Sequence, residues 1–405
     1  MPGPGNDLID ELEVEAVTRV LRSGYLGRYG PDDDPAFGAE VLTLENSVAD
    51  LVGVGHALAV NSGTSAIWIL LSALGIGPGD EVIVPGFTFV ASMSAIVYAG
   101  AKPVLAEVDD TFTLDPKDVE ARITSKTKAI LAVHMLGAAC DLDALGDIAA
   151  RHGLLLIEDA AQAFGGSYHG RRLGSIGVGG AYSFNLYKTI TCGDGGMLVT
   201  DTLDLYERCF ALHDQGHLPL RHGIEIGQRP YLGLNLRMNE VSGAVLNAQL
   251  TKLAHILTTL RNNKAAFRAA IETTPGVGFR RLTDPAGDIA THLVVVLPDA
   301  ATAAAIARDL DTKTLSNSGW HVYANMEHLR RRRIVSGFAS SVADYIADPG
   351  LLPATDALLA RSITLGVGVV DAGIGSAFGI NVRSSSSDIE KAADRFRTAV
   401  EHHLR

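Results

Sequence analysis

Cysteine is scarce in this chain: Cys140, Cys192 and Cys209 are the 3 present in 405 residues, an odd number without paired spacing. That argues against a disulfide framework or a cysteine-based metal site and favours a reducing compartment, the cytoplasm. Basic charge is also short. With 34 Lys and Arg against 46 Asp and Glu, the formal net charge of -12 argues against a nucleic-acid or anionic-membrane partner. No basic segment followed by an apolar core opens the chain, so no signal peptide is read. The apolar run from Ile363 to Val382 contains Asp371 and several glycines, and reads as short strands joined by turns rather than as a membrane span. Lysine is rarer still in the middle of the chain, where Lys188 stands alone between Lys128 and Lys252.

Apolar residues make up 47% of the sequence, enough for a large core. From about His56 to Thr200, short apolar runs alternate with helical patterns. Strands are expected at His56–Val60, Glu81–Val84, Pro103–Glu107, Lys128–Val133, Leu154–Glu158, Ala181–Phe184 and Met197–Thr200, with helices at Ser65–Leu74, Phe89–Ala99 and Asp141–His152 between them. This alternation predicts an α/β fold, a mostly parallel sheet covered on both faces by helices. Met238 to about Thr273 has a long helical pattern with a candidate break near Leu260. A strand pattern at His292–Leu297 follows, and a closing helix from Asp388 to about Leu404 with a polar cap in Ser384–Ser387. The expected organisation is a large domain in residues 1–250 and a smaller α+β domain in residues 251–405.

Ligands of such sheets bind beyond the carboxyl ends of the strands, and three motifs fall there. Lys188 lies in Ser183-Phe-Asn-Leu-Tyr-Lys188-Thr-Ile-Thr-Cys-Gly193-Asp-Gly195-Gly196, an apolar, glycine-flanked stretch. Burial disfavours a charged amine, and a neutral lysine can form an imine with an aldehyde, the entry step of pyridoxal phosphate chemistry. Asp159 ends the apolar run Leu154-Leu-Leu-Ile-Glu158-Asp159, where it could keep a pyridine nitrogen protonated; alone, it reads equally well as a helix cap. Gln162, one helical turn on, could reach the ring's face or its phenolic oxygen. Ser62-Gly63-Thr64-Ser65 follows a strand and opens a helix, a turn suited to a phosphate. Ser183 offers a second hydroxyl, and Phe89, after Pro85-Gly-Phe87-Thr88, an aromatic ring for stacking.

Taken in order, the Gly-Thr turn, Glu-Asp-Ala-Ala-Gln-Ala, Ser-Phe…Lys…Gly-Asp-Gly-Gly and Gly233-Leu-Asn235-Leu-Arg237-Met238 resemble the DegT/StrS-type sugar aminotransferases. The resemblance covers residues 10 to 260 strongly and the remainder loosely. It implies the aspartate-aminotransferase-like (type I) fold, with Lys188 as the lysine bonded to pyridoxal phosphate and Asp159 as the pyridine partner. It also implies Gln162 as a ring contact, Phe89 as the stacking ring, and Gly63, Thr64 and Ser183 at the phosphate. The asparagine matching Asn235 reaches the cofactor phosphate of a neighbouring subunit in that family, which implies a homodimer with shared active sites. Two stretches depart from the family pattern, Leu212-His213-Asp214-Gln215-Gly216-His217 and Tyr323-Ala-Asn325-Met-Glu327-His328. Together with Arg28-Tyr29-Gly30, they look more like the branch that aminates a terminal carbonyl on eight-carbon acidic sugars. His217, Arg237, Asn325 and His328 are candidate substrate contacts, and the first three read equally well as structural residues.

The activity implied is ping-pong transamination from an amino acid, glutamate or glutamine, to a keto- or aldehydo-sugar. The alternatives are a pyridoxal phosphate-dependent sugar dehydratase, although similar dehydratases carry histidine in place of the lysine, and a non-catalytic cofactor-binding regulator. A nicotinamide dehydrogenase lacks support, because Ser-Gly-Thr-Ser stands after the first strand where its glycine fingerprint belongs. No metal is expected.

Overall fold

Period-2 alternation in the apolar runs decides which side chains meet the site. In His56–Val60, Leu58 and Val60 pack into one buried cluster while Ala57 and Ala59 pack into another on the opposite face. Leu131 and Val133 share the first face with Ile157 and Ala181, whereas Ile130, Ala132, Leu156 and Tyr182 share the second. Both faces are covered, which is why these strands read as unbroken apolar runs. Fully burying each Leu, Ile or Val contributes about 1.5–3 kcal/mol before chain entropy is set against it.

The computed structural model describes residues 3–31, 33–219, 229–334 and 347–404. Its main sheet has 7 strands in the order His56–Val60, Gly196–Thr200, Gly179–Ser183, Leu155–Asp159, Thr127–Val133, Glu81–Pro85 and Lys102–Ala106. Gly196–Thr200 runs antiparallel to both its neighbours, and the remaining pairings are parallel. The carboxyl ends of His56–Val60, Glu81–Pro85, Thr127–Val133, Leu155–Asp159 and Gly179–Ser183 therefore share one edge with the start of Gly196–Thr200. That edge carries the motifs singled out in the sequence.

Several helices begin with side-chain caps. Ser62 caps Gly63–Ala73 through its side chain, which accepts from Ser65 N–H. Asp141 caps Leu142–His152, and Ser385 forms a capping box with Asp388 at Ser386–His403. Glu240–Ile271 is continuous for 32 residues, so the break expected near Leu260 does not occur: Leu260 is fully buried and packs into the core. The residue-250 boundary consequently falls inside this helix. Beyond it lies a 3-stranded antiparallel sheet of Gly278–Phe279, His292–Val296 and Ser362–Gly366. The Ile363–Val382 run supplies the last of these strands and then turns, and among the described residues no helix is long and apolar enough to cross a membrane.

Candidate active site

At the shared edge of the large sheet lies a cavity of about 480 Å³, lined among others by Ser62, Gly63, Thr64, Phe89, Asp159, Gln162, Ser183 and Lys188. Eight stretches of sequence between Ser62 and Ile374 converge there. Strand parity explains the choice of carboxylate. Asp159 shares a face with Ile157, beside the helices Gly63–Ala73 and Val90–Tyr98, and reaches the cavity. Glu158 shares the other face with Leu156 and does not line it.

Each carboxylate is anchored in its own way. Asp159 Oδ2 accepts the Ser92 hydroxyl at 2.6 Å, and Oδ1 accepts Ala161 N–H at 3.1 Å. Ser92 in turn lies 2.8 Å from the Thr88 hydroxyl; since its own proton goes to Asp159, Thr88 is the donor in that contact. Burial pushes the Asp159 carboxyl above its ordinary range, opposed by these hydrogen bonds and by Lys188. Glu158 accepts Gly174 N–H at 2.7 Å, Ile176 N–H at 2.6 Å and Gly177 N–H at 2.7 Å, and lies 3.0 Å from His134 Nε2. His134 Nδ1 accepts Cys140 N–H at 3.2 Å, so its proton sits on Nε2 and points at Glu158. Although burial opposes ionisation of Glu158, the His134 and backbone donors hold its carboxyl below the usual range.

Lys188 lies in the turn after Gly179–Ser183, its backbone N–H donating to the Asn185 carbonyl at 2.9 Å. Burial lowers its pKa to about 8, against the opposing pull of Asp159 and Asp371. An appreciable minority of this amine is therefore neutral near physiological pH, where an ordinary lysine is almost wholly protonated.

The turn that opens Gly63–Ala73 is packed too tightly for larger residues. A Cβ on Gly196 would sit 2.3 Å from the Ser62 carbonyl carbon, and one on Gly63 would sit 2.8 Å from Ser183 Cβ. These glycines let the Ser62 turn, Ser183 and the start of Gly196–Thr200 close around one point at a helix N-terminus, as a phosphate cradle requires. Gln162 is reached through turns rather than along a helix, a correction to the spacing argument, because Asp159 ends a strand and no helix follows it. Its side-chain oxygen accepts Leu136 N–H at 2.9 Å, which leaves its amide nitrogen toward the cavity wall it lines. Phe89, 41% exposed, caps Val90–Tyr98 and packs 5.3 Å from the His321 ring.

The remaining candidates fall elsewhere. Asn235, Arg237, His217, Asn325 and His328 do not line this cavity. Arg237 pairs with buried Asp214 at 2.7 Å and donates to Asn235 Oδ1 at 3.1 Å. The Asn325 amide donates to the carbonyls of Ser316 and Ser318, His217 lies 3.4 Å from Arg229 Nε, and His328 faces Trp320 at 6.0 Å between ring centres. Conversely, the sequence reading missed Ser92, Trp320, His321 and Asp371, all on the cavity wall. Thr88 and Ser92 were legible as a pair one helical turn apart, and Asp371 as the charge that interrupts an apolar run. Asp309, His402 and His403 bring three ligand atoms within 4.8 Å of one another, none of them on this cavity.

A family model described as the DegT/DnrJ/EryC1/StrS aminotransferase family matches residues 7–332. The GDP-perosamine synthase of Caulobacter vibrioides is 45% identical over 217 residues, 53% of this chain and 57% of that protein, so the match spans little more than half of that relative. The dTDP-3-amino-3,4,6-trideoxy-alpha-D-glucose transaminase of Streptomyces venezuelae is 39% identical over 313 residues, 75% of this chain and 78% of the relative. Among solved structures, an aminotransferase from Psychrobacter cryohalolentis matches with a TM-score of 0.82 at 27% identity, covering 100% of both chains. A 3-amino-5-hydroxybenzoic acid synthase matches with a TM-score of 0.79 at 28% identity, covering 97% of each.

Proposed function

We propose that this chain, which belongs to the DegT/DnrJ/EryC1/StrS aminotransferase family, holds pyridoxal phosphate at the cavity around Lys188 and moves an amino group from an amino acid to a sugar-derived carbonyl. The observation that carries the reading is the meeting of a buried, partly neutral Lys188 with buried Asp159 beside the Ser62–Ser65 turn in one cavity. The residues fit the group: an amine for its aldehyde, a carboxylate for its ring nitrogen, and a glycine-packed helix N-terminus for its phosphate. When bound, the cofactor supplies an electron sink for cleavage of the donor's Cα–H bond.

The chain's own residues do the rest. Lys188 Nζ takes the proton from the α-carbon of the amino donor as a neutral base and returns it as an acid, a role that contributes roughly 10²–10⁴-fold. Asp159, ionised, accepts the hydrogen bond of the ring nitrogen and keeps that nitrogen protonated, with Thr88 and Ser92 fixing the carboxylate's orientation. Ser62, Gly63, Thr64 and Ser183 would hold the phosphate, Phe89 would stack on the ring, and Gln162 would contact the ring's face or its phenolic oxygen.

The amino donor is glutamate or glutamine and the acceptor a keto- or aldehydo-sugar, in keeping with the sugar-named relatives. The retained lysine at 188 disfavours the dehydratase alternative. A homodimer with shared sites belongs to the same proposal. Asn235 is off its own chain's cavity, and its neighbour Leu232 is 95% exposed with Tyr231 and Leu234 beside it, an apolar strip suited to burial against a second copy. We place the enzyme in the cytoplasm, on the unpaired cysteines and the acidic surface. The two lobes, residues 1–250 and 251–405, are part of this reading, joined through the helix Glu240–Ile271. The test is a half-reaction: glutamate added to the cofactor-loaded protein should bleach its visible absorbance and release 2-oxoglutarate, and a spectrum unmoved by any amino donor would refute transamination.

A further inference from the structure

One wall of the cavity is built from Trp320, His321, Asp371 and Gly373. A chain of hydrogen bonds fixes the direction in which its polar atoms point. Ser318 donates its hydroxyl to the Gly373 carbonyl at 2.7 Å, and a hydroxyl has one proton to give. The 2.9 Å contact between Ser318 Oγ and His321 Nδ1 must then run the other way, with the imidazole as donor. His321 is left as the Nδ1–H tautomer, its Nε2 carrying a lone pair. Burial, reinforced by Lys188 and Lys313, lowers its pKa to about 3, so the ring stays neutral. The same Gly373 donates its N–H to Asp371 Oδ1 at 2.7 Å, and Asp371 N–H is received by the Ser376 hydroxyl at 3.1 Å. The loop thus presents a carboxylate and an imidazole lone pair, two acceptors tied to one glycine. Among the described residues, the cavity lining contains no arginine and Lys188 is its sole lysine.

We propose, resting on the amine-transfer reading above, that Asp371 and His321 set specificity by accepting hydrogen bonds from hydroxyl groups next to the reacting carbonyl of the acceptor substrate. Apart from the Trp320 indole N–H, the side-chain polar groups of this wall accept, and such a wall rewards a ligand that donates. Vicinal hydroxyls of a polyhydroxylated chain do so, whereas an alkyl chain leaves the carboxylate desolvated without a partner and a carboxylate or phosphate placed there is repelled. Sites built to hydrogen-bond a substrate hydroxyl reject the analogue lacking it far more strongly than sites that discriminate by shape. The wall therefore selects polyols at this end of the substrate, and any anionic group of the substrate lies at another.

The test uses the cofactor-loaded protein and two four-carbon aldehydes, D-erythrose with its hydroxyls and butanal without them. Glutamate first converts the enzyme to its amino form; each aldehyde is then added and the return of the starting spectrum timed. The wild type is expected to react at least tenfold faster with erythrose. Asp371→Asn, which keeps the side-chain volume, and His321→Phe should each bring the erythrose-to-butanal ratio toward one, with a loss in erythrose rate at least tenfold greater than any change in the glutamate step. A merely structural role would slow both half-reactions together and leave the ratio intact. The hydroxyl reading is overturned by variants that keep the preference, or by a wild type that converts the two aldehydes equally or converts neither. A wild type that glutamate fails to convert sinks the amine-transfer reading instead, at a step before either aldehyde is added.

Discussion

Replacing Ser92 with alanine deletes one hydroxyl from the structure and leaves Asp159 in place. That hydroxyl is buried, donates to Asp159 Oδ2 at 2.6 Å, and is itself held by Thr88. A hydrogen bond to a charged group contributes about 1.5–3 kcal/mol, and one pKa unit corresponds to about 1.36 kcal/mol. Loss of the bond to the ionised form should therefore raise the Asp159 pKa by about one to two units, adding to the upward push of burial. Since the ionised carboxylate is the form that keeps the cofactor nitrogen protonated, the acid limb of the glutamate half-reaction should move to higher pH by the same amount. Stopped-flow absorbance across pH 4 to pH 9 reads this directly, on the order of ten points per profile. Above the limb the Ser92→Ala rate should return close to that of the wild type, and Thr88→Val should give a smaller displacement in the same direction. Superimposable profiles for Ser92→Ala and wild type would refute the claim that this hydroxyl tunes the carboxylate.

Three further perturbations have defined outcomes. Gly196→Ala places a Cβ 2.3 Å from backbone atoms of Ser62, so cofactor affinity should fall at least about tenfold in an absorbance titration of the apoenzyme; unchanged affinity would remove the glycine-packed cradle from the account. Glu158→Gln turns an amide donor toward backbone N–H groups that now find a carboxylate, and should cost at least about 1–3 kcal/mol in urea denaturation, with no loss if Glu158 is dispensable to the loop it anchors. Reloading of the apoenzyme should accelerate as pH rises through about 8, because only the neutral Lys188 amine attacks an aldehyde; a pH-independent rate between 6 and 10, roughly, would contradict the lowered pKa.

What the sequence made legible was local chemistry at strand ends. Lys188, Asp159, Ser62, Gly63, Thr64, Ser183, Gln162 and Phe89 were found from short-range signals, and all line the cavity. A strand followed by a polar turn is recognisable without knowing its neighbours. The choice of Asp159 over Glu158 rested on its place at the end of the apolar run and on the family resemblance; the period-2 alternation that accounts for it is visible in the two faces of the folded sheet. The opposite wall was not legible. His321 and Asp371 reach the cavity only because the chain after Ser362–Gly366 turns back on itself, with Gly373 bonded to Ser318. Such pairing leaves no periodic trace. Of the substrate candidates, Asn325 donates its amide to two backbone carbonyls and Arg237 pairs with Asp214, and neither lines the cavity. A polar residue at an unusual position in a motif is as readily a new loop anchor as a ligand contact. The break expected near Leu260 failed for a simpler reason: tertiary burial along Glu240–Ile271 holds the helix straight through a stretch whose local pattern weakens.

The account turns on a covalent bond at one nitrogen. Loading the protein with pyridoxal phosphate, reducing it with borohydride and mapping its peptides by mass should find a single phosphopyridoxyl group on the peptide that contains Lys188, and none in Lys188→Ala. A label on any other lysine, or retention of the reducible absorbance by Lys188→Ala, would contradict it.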